Sequence, residues 1–399
     1  MPVVSSLSSR VGGFPRTREE AVIGDINSIV SEITFNILRD SPQLVADVSA
    51  GNVGKNALET AVIKDMDKNF YHMGLYRQKL IKKVFDYMFG YGELQEYVDD
   101  EEISDIDGTK FDEFVVKKSG RREAVNVNFI NEKNYDTYCK LIAVRYGGML
   151  NENDSHCRVT DTQRRLRINI SIPPRNVSGP AISIRKHRMK SYTLRELAKI
   201  GMLQPWMEEK LREFASKGKS IVFCGKGAAG KTTLMRAFIN ALPRMERVII
   251  AESDAEIYPD KPYCIEQRIK KSNEGGLPFT LADLIREGLT MSLDTYCIGE
   301  IVGGEAWEFV KAIYTGHRGI ATTHSESAKE VFERILTLSL GADIRESEKT
   351  VKEMISNSID AVIFLKDFKV NEILEVYGYD AANENCITKQ LTMQNYRGE

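Results

Sequence analysis

The sequence has no long hydrophobic run, no paired cysteines and no excess of charge of either sign. No apolar stretch in its 399 residues approaches the ~18 that a membrane-spanning helix needs. Its six cysteines are scattered, without a Cys-x-x-Cys pair or metal-ligand spacing, so we expect a reduced intracellular chain with no disulfide framework. The formal net charge is −2, so the overall balance gives no reason to expect nucleic acid or an anionic membrane as a partner.

The distribution of apolar residues separates three zones. Residues 17–97 carry apolar side chains three and four positions apart, as at Ile26, Val30 and Ile33, which predicts helices. From residue 220 onward, short apolar runs alternate with helical stretches, as in a parallel sheet covered on both faces. We therefore predict an α/β protein with an N-terminal helical extension (1–97), a smaller α+β domain (98–190) and a P-loop domain (191–399). Strands are expected at 114–117, 125–129, 167–172, 181–185, 221–224, 248–251, 296–298, 320–323 and 361–365, and a helix at 135–145.

The most specific motif is a glycine-rich loop that follows a four-residue apolar strand and opens a helical run. It matches G-x-x-x-x-G-K-[ST]. Backbone N–H groups at a helix N-terminus form a concave anion site, so the loop predicts binding of a nucleoside triphosphate. Lys231 is expected to bridge the β and γ phosphates, and the Thr232 hydroxyl to ligate Mg²⁺. The expected nucleotide-binding residues are Gly225, Lys226, Gly227, Ala228, Ala229, Gly230, Lys231, Thr232 and Thr233.

One upstream segment raises the alternative of a guanine nucleotide. Thr109-Lys110-Phe111-Asp112 superficially resembles the T-K-x-D guanine reader of GTPases. It lies far before the phosphate loop, in a stretch typical of a turn between strands. The sequence therefore favours ATP.

Polar residues at three strand ends follow the phosphate loop. One apolar run ends in Glu252, with Glu256 four residues on; a second is followed by Glu300; a third has His317 before it and His324 after it. Acids at the C-terminal ends of parallel strands face the nucleotide crevice, where one can hold Mg²⁺ and another can activate water. Each alone has an ordinary explanation as a helix cap, turn residue or structural histidine. Their combination behind one phosphate loop favours catalysis.

In this order the segments resemble the type II/IV secretion-system ATPases, the hexameric motors of secretion machines and pili. Residues 252–256 resemble the family's aspartate box, 297–300 its Walker B segment and 315–324 its histidine box. The similarity runs from about residue 80 to near the C-terminus and is greatest to the Tad/Flp-pilus branch and its conjugative relatives. It implies a RecA-like P-loop domain, ATP and Mg²⁺ as ligands, and a homohexamer.

The resemblance also implies roles for individual residues. Glu300 is expected to hold Mg²⁺ or to act as general base, Glu252 and Glu256 to activate water, and His324 to sense the γ-phosphate.

Three arginines match positions where the family brings positive charge to the phosphates. Arg167 and Arg185 lie on strands like those that close its N-terminal domain, and Arg268 matches an active-site arginine of the Tad branch. A solvated basic face is the alternative explanation for the arginine-rich stretch around the first two.

The sequence departs from the family pattern at positions that bear on turnover. Ser253 stands where the aspartate box has aspartate, Thr290 and Ser292 lie where arginines are usual, and Val302 replaces another arginine. We expect these changes to leave nucleotide binding unaffected. Whether hydrolysis is fast stays an open question at this point.

The function implied is an ATP-driven motor for pilus assembly or protein secretion. We expect a cytoplasmic protein, peripheral at the inner face of the cytoplasmic membrane, with an inner-membrane platform protein and pilin or secretion machinery as partners. Two other functions stay open: a nucleotide-gated assembly subunit with little hydrolysis, and a nucleic-acid translocase of a conjugative system. No interleaved aromatic and basic pattern supports nucleic-acid contact.

Overall fold

The computed structural model describes residues 26, 29–30, 32–34, 36–37, 39–49, 52–187, 189–270 and 277–397. The chain divides into two compact units, one containing the chain up to residue 142 with 151–156 and 170–183, the other 143–150, 157–169 and 184–399. The part of the predicted helical extension before residue 26 lies outside the described residues. Of the helices described, none has the length and apolar character needed to span a bilayer.

The first unit begins with helices, as the spacing of its apolar residues predicts. Ile26, Val30 and Ile33 belong to one hydrophobic cluster with Leu58 and Leu80, which lie on two later helices. This burial of one face confirms the helical prediction for the described residues. The helices are α1 (Pro42–Ser49), α2 (Lys55–Asn69), α3 (Arg77–Phe89) and α4 (Gln95–Asp99), with 3₁₀ turns at Tyr71–Tyr76 and Gly92–Leu94.

A six-stranded sheet follows, with strand order β3-β2-β1-β6-β5-β4. The strand predicted at 125–129 is wrong, because β3 ends at Val125. The residues after it run as an irregular segment that buries Val127 and Phe129, whose N–H groups bond to the carbonyls of Val125 and Phe111. Three strands of this sheet, β1, β3 and β4, were not predicted. The elements are β1 (Ile103–Lys110), β2 (Glu113–Lys118), β3 (Arg121–Val125), α5 (Glu132–Arg145), β4 (His156–Asp161), β5 (Leu166–Ser171) and β6 (Ala181–Lys186).

The second unit contains an eight-stranded sheet, with strand order β14-β13-β12-β7-β11-β10-β8-β9. From β12 to β9 neighbouring strands are parallel, whereas β13 and β14 extend one edge in antiparallel fashion. The strands are β7 (Ile221–Cys224), β8 (Val248–Glu252), β9 (Cys264–Arg268), β10 (Thr295–Ile298), β11 (Arg318–Thr323), β12 (Ala361–Lys366), β13 (Lys369–Asp380) and β14 (Asn385–Gln390). The helices are α6 (Leu194–Lys199), α7 (Pro205–Ser216), α8 (Lys231–Asn240), α9 (Leu281–Gly288), α10 (Glu305–Tyr314), α11 (Glu330–Leu340), α12 (Glu348–Ser358) and α13 (Met393–Arg397).

Strand β7 shows why this sheet must be covered on both faces. Its side chains alternate between two hydrophobic clusters: Ile221 and Phe223 belong to one, Val222 and Cys224 to the other. All four are buried, as expected of a central parallel strand. The predicted α/β fold with a covered parallel sheet is confirmed, and the antiparallel edge is an addition that the sequence pattern did not show.

Candidate active site

The glycine-rich loop connects the buried strand β7 to helix α8. Gly225, Ala228 and Gly230 have φ of +147°, +61° and +96°, so the backbone curls through conformations that favour glycine. A Cβ on Gly225 would lie 2.2 Å from the carbonyl oxygen of Leu365, which rules out a larger residue there. At Gly227 the nearest atom would be Cε1 of His324, at 3.9 Å. The loop therefore has room on the side where an anion can approach the helix N-terminus.

Lys231, the first residue of α8, is held over this loop. Its side chain is 8% exposed, and its Nζ donates to the carbonyls of Gly225 at 3.0 Å and Lys226 at 3.2 Å. Burial lowers the pKa of this ammonium group, and the nearby Glu300 opposes that shift. A cation fixed in this way needs little rearrangement to meet a phosphate.

The register of the parallel strands brings the candidate acids to one edge of the sheet. Ile298 on β10 pairs with Ala251 on β8 and with Ala321 on β11, while Thr323 on β11 pairs with Cys224 on β7. The residues at these strand ends or just beyond them are the ones proposed for chemistry. Four strands that are separate in sequence thus present their carboxyl ends side by side.

Glu300 and His324 are in direct contact at this edge. His324 Nε2 lies 2.9 Å from Glu300 Oε1, and the same carboxylate oxygen is 3.9 Å from Lys231 Nζ. Glu300 is partly exposed, so a water molecule can reach it. The arrangement suits an acid that accepts a proton from water while a histidine fixes its orientation.

Glu252 differs from Glu300 in that it is almost completely buried. Its Oε1 accepts hydrogen bonds from the backbone N–H groups of Glu256 and Ile257, both at 3.1 Å. Burial raises the pKa of Glu252 to about 8. Its Cγ lies 3.0 Å from where a Cβ on Gly299 would be, so Gly299 packs tightly against it. Glu252 therefore shapes the turn after β8.

Two arginines form ion pairs with the acidic turn after β8. Arg167 Nη1 contacts Glu256 and lies 3.9 Å from Asp254, while Arg158 Nη1 contacts Asp254 directly. The Nε of Arg167 is buried without a hydrogen-bond partner. This site therefore joins arginines to the acids beside the phosphate loop.

Most of the residues proposed from the sequence line one cavity of about 450 Å³ in the second unit. They are Glu252, Glu256, Glu300, His324, Arg167, Arg185 and the loop residues 227–233. Three do not line it. Gly225 packs against Leu365. Lys226 is exposed and pairs with Glu326 at 3.2 Å. Arg268 is exposed on β9, in register with Glu252.

His317 and the T-K-x-D segment, which the sequence also brought to attention, do not line the cavity. His317 precedes β11, whereas His324 follows it, so the two histidines lie at opposite ends of that strand. His317 Nδ1 is 3.2 Å from both Thr315 Oγ1 and the Ala312 carbonyl, as a turn residue would be. In the T-K-x-D segment, Lys110 pairs with Glu113 at 2.6 Å, and Phe111 and Asp112 form the turn between β1 and β2.

Sequence reasoning missed Arg158 and Phe368. Arg158 lies on β4, whose alternating buried Cys157 and Val159 were a usable signal for a strand with a polar face. Phe368 lines the cavity from the turn after β12. No local pattern pointed to it, because its position depends on the pairing of β12 with β7.

Comparison with known proteins identifies one matching protein family. The model for "Type II/IV secretion system protein" matches residues 152–369. The type IV secretion system protein VirB11 of Bartonella henselae is 26% identical over 250 residues, 52% of this chain and 70% of that protein. Two Mycobacterium tuberculosis proteins named as conjugal transfer proteins are 30% identical over 175 residues, 43% of this chain and 50% of theirs. The chain thus spans about half the length of these mycobacterial relatives.

Solved structures show the same fold. The ATPase DotB of Legionella pneumophila has a TM-score of 0.50 at 17% identity, covering 74% of this chain and 77% of that one. The pilus retraction motor PilT with bound ADP has a TM-score of 0.50 at 15% identity, covering 75% and 81%. At these identities the likeness concerns the fold alone, and it agrees with the RecA-like architecture expected from the sequence.

Proposed function

The chain belongs to the family of type II/IV secretion system proteins, and on that premise we propose that it binds and hydrolyses ATP in the cavity over its phosphate loop. The family resemblance seen in the sequence is thereby confirmed. One observation carries the proposal: parallel strand ends bring Lys231, Glu300 and His324 to a single cavity at a helix N-terminus. A fixed cation, an acid and backbone N–H groups around one space are what phosphoryl transfer to water requires.

The donor groups of the cavity fit a magnesium nucleotide. The space beside Gly227 leaves the loop backbone open to phosphate oxygens. Thr232 and Glu300, which both line the cavity, offer a hydroxyl and a carboxylate, the hard oxygen ligands that Mg²⁺ prefers beside phosphate and water. When bound, the ion would neutralise part of the negative charge of the phosphates.

Each side chain then has a defined task. Water attacks the γ-phosphorus, the bond to the β–γ bridging oxygen breaks, and ADP leaves with the electron pair. In its alternative role, as general base in place of Mg²⁺ ligand, Glu300 takes the proton of the attacking water, with His324 orienting the carboxylate at 2.9 Å. Lys231 stabilises the charge that develops on the phosphates. Glu252 and Glu256 line the same cavity and stay candidates for activating the water.

The test compares Lys231→Ala with Lys349→Ala, which removes an exposed lysine paired with Glu384. We expect Lys231→Ala to lose ATP binding and steady-state ATPase activity, and the control to keep both. Full activity in Lys231→Ala would remove the proposal.

We further propose that the ATPase is a subunit of a homohexameric ring that powers pilus assembly or protein secretion. It would act at the inner face of the cytoplasmic membrane through an inner-membrane platform protein. The support is the naming of relatives as a type IV secretion system protein and a pilus retraction motor. Native mass spectrometry with and without nucleotide tests the ring. A chain that stays monomeric at every concentration while hydrolysing ATP at full rate contradicts it.

Two observations each favour an alternative function. Relatives named as conjugal transfer proteins favour a nucleic-acid translocase, which salt-dependent DNA binding or DNA-stimulated ATPase would support. The ion pair of Arg167 with Glu256 favours a nucleotide-gated subunit with slow hydrolysis, because it occupies an arginine that could reach the phosphates. Steady-state ATPase activity of the assembled protein, measured against Lys231→Ala, tests this second function. A rate close to that of Lys231→Ala would support it.

A further inference from the structure

Phe368 occupies the tip of the hairpin between β12 and β13. Lys366 pairs with Lys369, which leaves Asp367 and Phe368 as a two-residue turn with φ of +51° and +60°. Positive φ at both positions defines a type I′ turn, in which Asn and Gly are the preferred residues. A bulky aromatic residue is a rare occupant of this backbone region. Turn formation therefore gives no reason for phenylalanine at this position.

The pairing of β12 with β7 places this turn beside the phosphate loop. Phe364 is in register with Cys224, the last residue before the loop. A Cβ on Gly230 would lie 2.9 Å from Cδ2 of Phe368 and 2.8 Å from Cε of Met202. Phe368 nevertheless remains 39% exposed and lines the cavity. The fold thus keeps a large apolar surface open at the rim of a polar site.

The loop runs between two chemically different ends of the cavity. Gly227 faces His324, which contacts Glu300. Gly230 faces Phe368 and Met202. A triphosphate whose terminal group lies near Glu300 therefore extends its other end toward the apolar side.

We propose that Phe368 is the base-binding residue of this site and stacks on the nucleobase of the bound nucleotide. This assignment rests on the proposed ATPase function. Every base has a π-face, and an aromatic ring recognises that face without hydrogen bonds. Phe368 thus selects purines, which offer the larger flat surface, over pyrimidines. It discriminates little between adenine and guanine, so the substrate class is purine nucleoside triphosphates.

The experiment separates the base from the phosphates by using tripolyphosphate as a probe without a base. Isothermal titration calorimetry on the full chain measures the binding of ATP, GTP, CTP and tripolyphosphate. Phe368→Asn removes the ring and retains a residue that type I′ turns favour; Phe368→Tyr retains the ring. Tyr377→Ala, which removes an exposed aromatic ring elsewhere on β13, is the control.

We expect Phe368→Asn to weaken ATP and GTP binding by about tenfold and tripolyphosphate binding by less than about twofold, as loss of one stacking contact predicts. Phe368→Tyr should bind like wild type. Equal weakening of ATP and tripolyphosphate would overturn the assignment, because the ring would then act on the loop through Gly230. Unchanged ATP binding in Phe368→Asn, with loss in Lys231→Ala, would also overturn it while leaving the proposed function intact. If wild type binds neither ATP nor tripolyphosphate, the proposed function itself fails.

Discussion

The Oε1 atom of Glu300 lies 2.9 Å from Nε2 of His324, and this contact joins residues that follow the neighbouring strands β10 and β11. Lys231 Nζ stands 3.9 Å from the same carboxylate oxygen. The position of the acid is therefore set from two sides. We propose that this fixed geometry aligns Glu300 with the water that it deprotonates.

Glu300→Gln should abolish ATP turnover while leaving ATP affinity within about threefold of wild type, because the amide keeps the shape of the side chain and cannot take a proton. ATPase assays and equilibrium binding measure the two quantities separately. Glu384→Gln, an exposed glutamate paired with Lys349, is the matched control. Near-normal turnover in Glu300→Gln would transfer the role of general base to another acid.

Gly225→Ala should prevent the phosphate loop from forming, whereas Gly227→Ala should fold normally. The added methyl group at Gly225 meets the Leu365 carbonyl at 2.2 Å and the residue has φ of +147°, while the nearest atom at Gly227 is 3.9 Å away. Steric clash and backbone strain together should cost about 2–4 kcal/mol of unfolding free energy at Gly225. Urea denaturation of both variants measures the difference. Equal stability of the two would contradict the loop geometry.

The stability contributed by Glu252 should fall as pH rises. Burial raises its pKa from the ordinary 4.5 to about 8, so between these values the folded chain retains a proton that the unfolded chain has lost. Because the folded state binds more protons in this window, the free energy of unfolding decreases with increasing pH. Glu252→Gln lacks this titration.

Urea titrations of wild type and Glu252→Gln at pH 5, 6, 7 and 8 test the sign. The unfolding free energy of wild type relative to the variant should drop by about 1 kcal/mol or more from pH 5 to pH 8. Parallel pH profiles for the two proteins would show that Glu252 titrates at its ordinary value.

Glu256→Gln should increase affinity for a non-hydrolysable ATP analogue by about two- to fivefold, the size expected of a partly exposed ion pair. The change releases Arg167 from its contact with Glu256, and Arg167 lines the cavity. The double variant Arg167→Gln/Glu256→Gln should lose the gain. A gain that persists in the double variant would show that the effect does not pass through Arg167.

The parts of the fold that were predictable are those whose signals are local. The buried run Ile221–Cys224, the glycine loop and the alternation of apolar runs with helices indicated the parallel sheet. Strands β13 and β14 were not predictable in this way, because they have mixed exposure and add to the sheet by antiparallel pairing. The domain boundaries near residues 97 and 190 stay a prediction, which limited proteolysis can test.

The candidate site was predictable to the extent that its residues follow strand ends. Glu252, Glu300 and His324 each come directly after or within an apolar run, and the parallel register brings them together. The partners of the acidic turn were harder to predict, because the contact of Arg158 with Asp254 joins residues 96 positions apart. Contacts of this kind depend on the packing of distant strands, which no local pattern reports.

Strand β7 has parallel neighbours on both sides and sends its side chains into both hydrophobic clusters. Its backbone amides can therefore reach solvent only when the sheet itself opens. Deuterium exchange at Ile221–Cys224 should then be among the slowest in the chain, with a rate that reports global unfolding. The phosphate loop starts at the next residue, so one of its ends is fixed to a strand that we expect to open slowly.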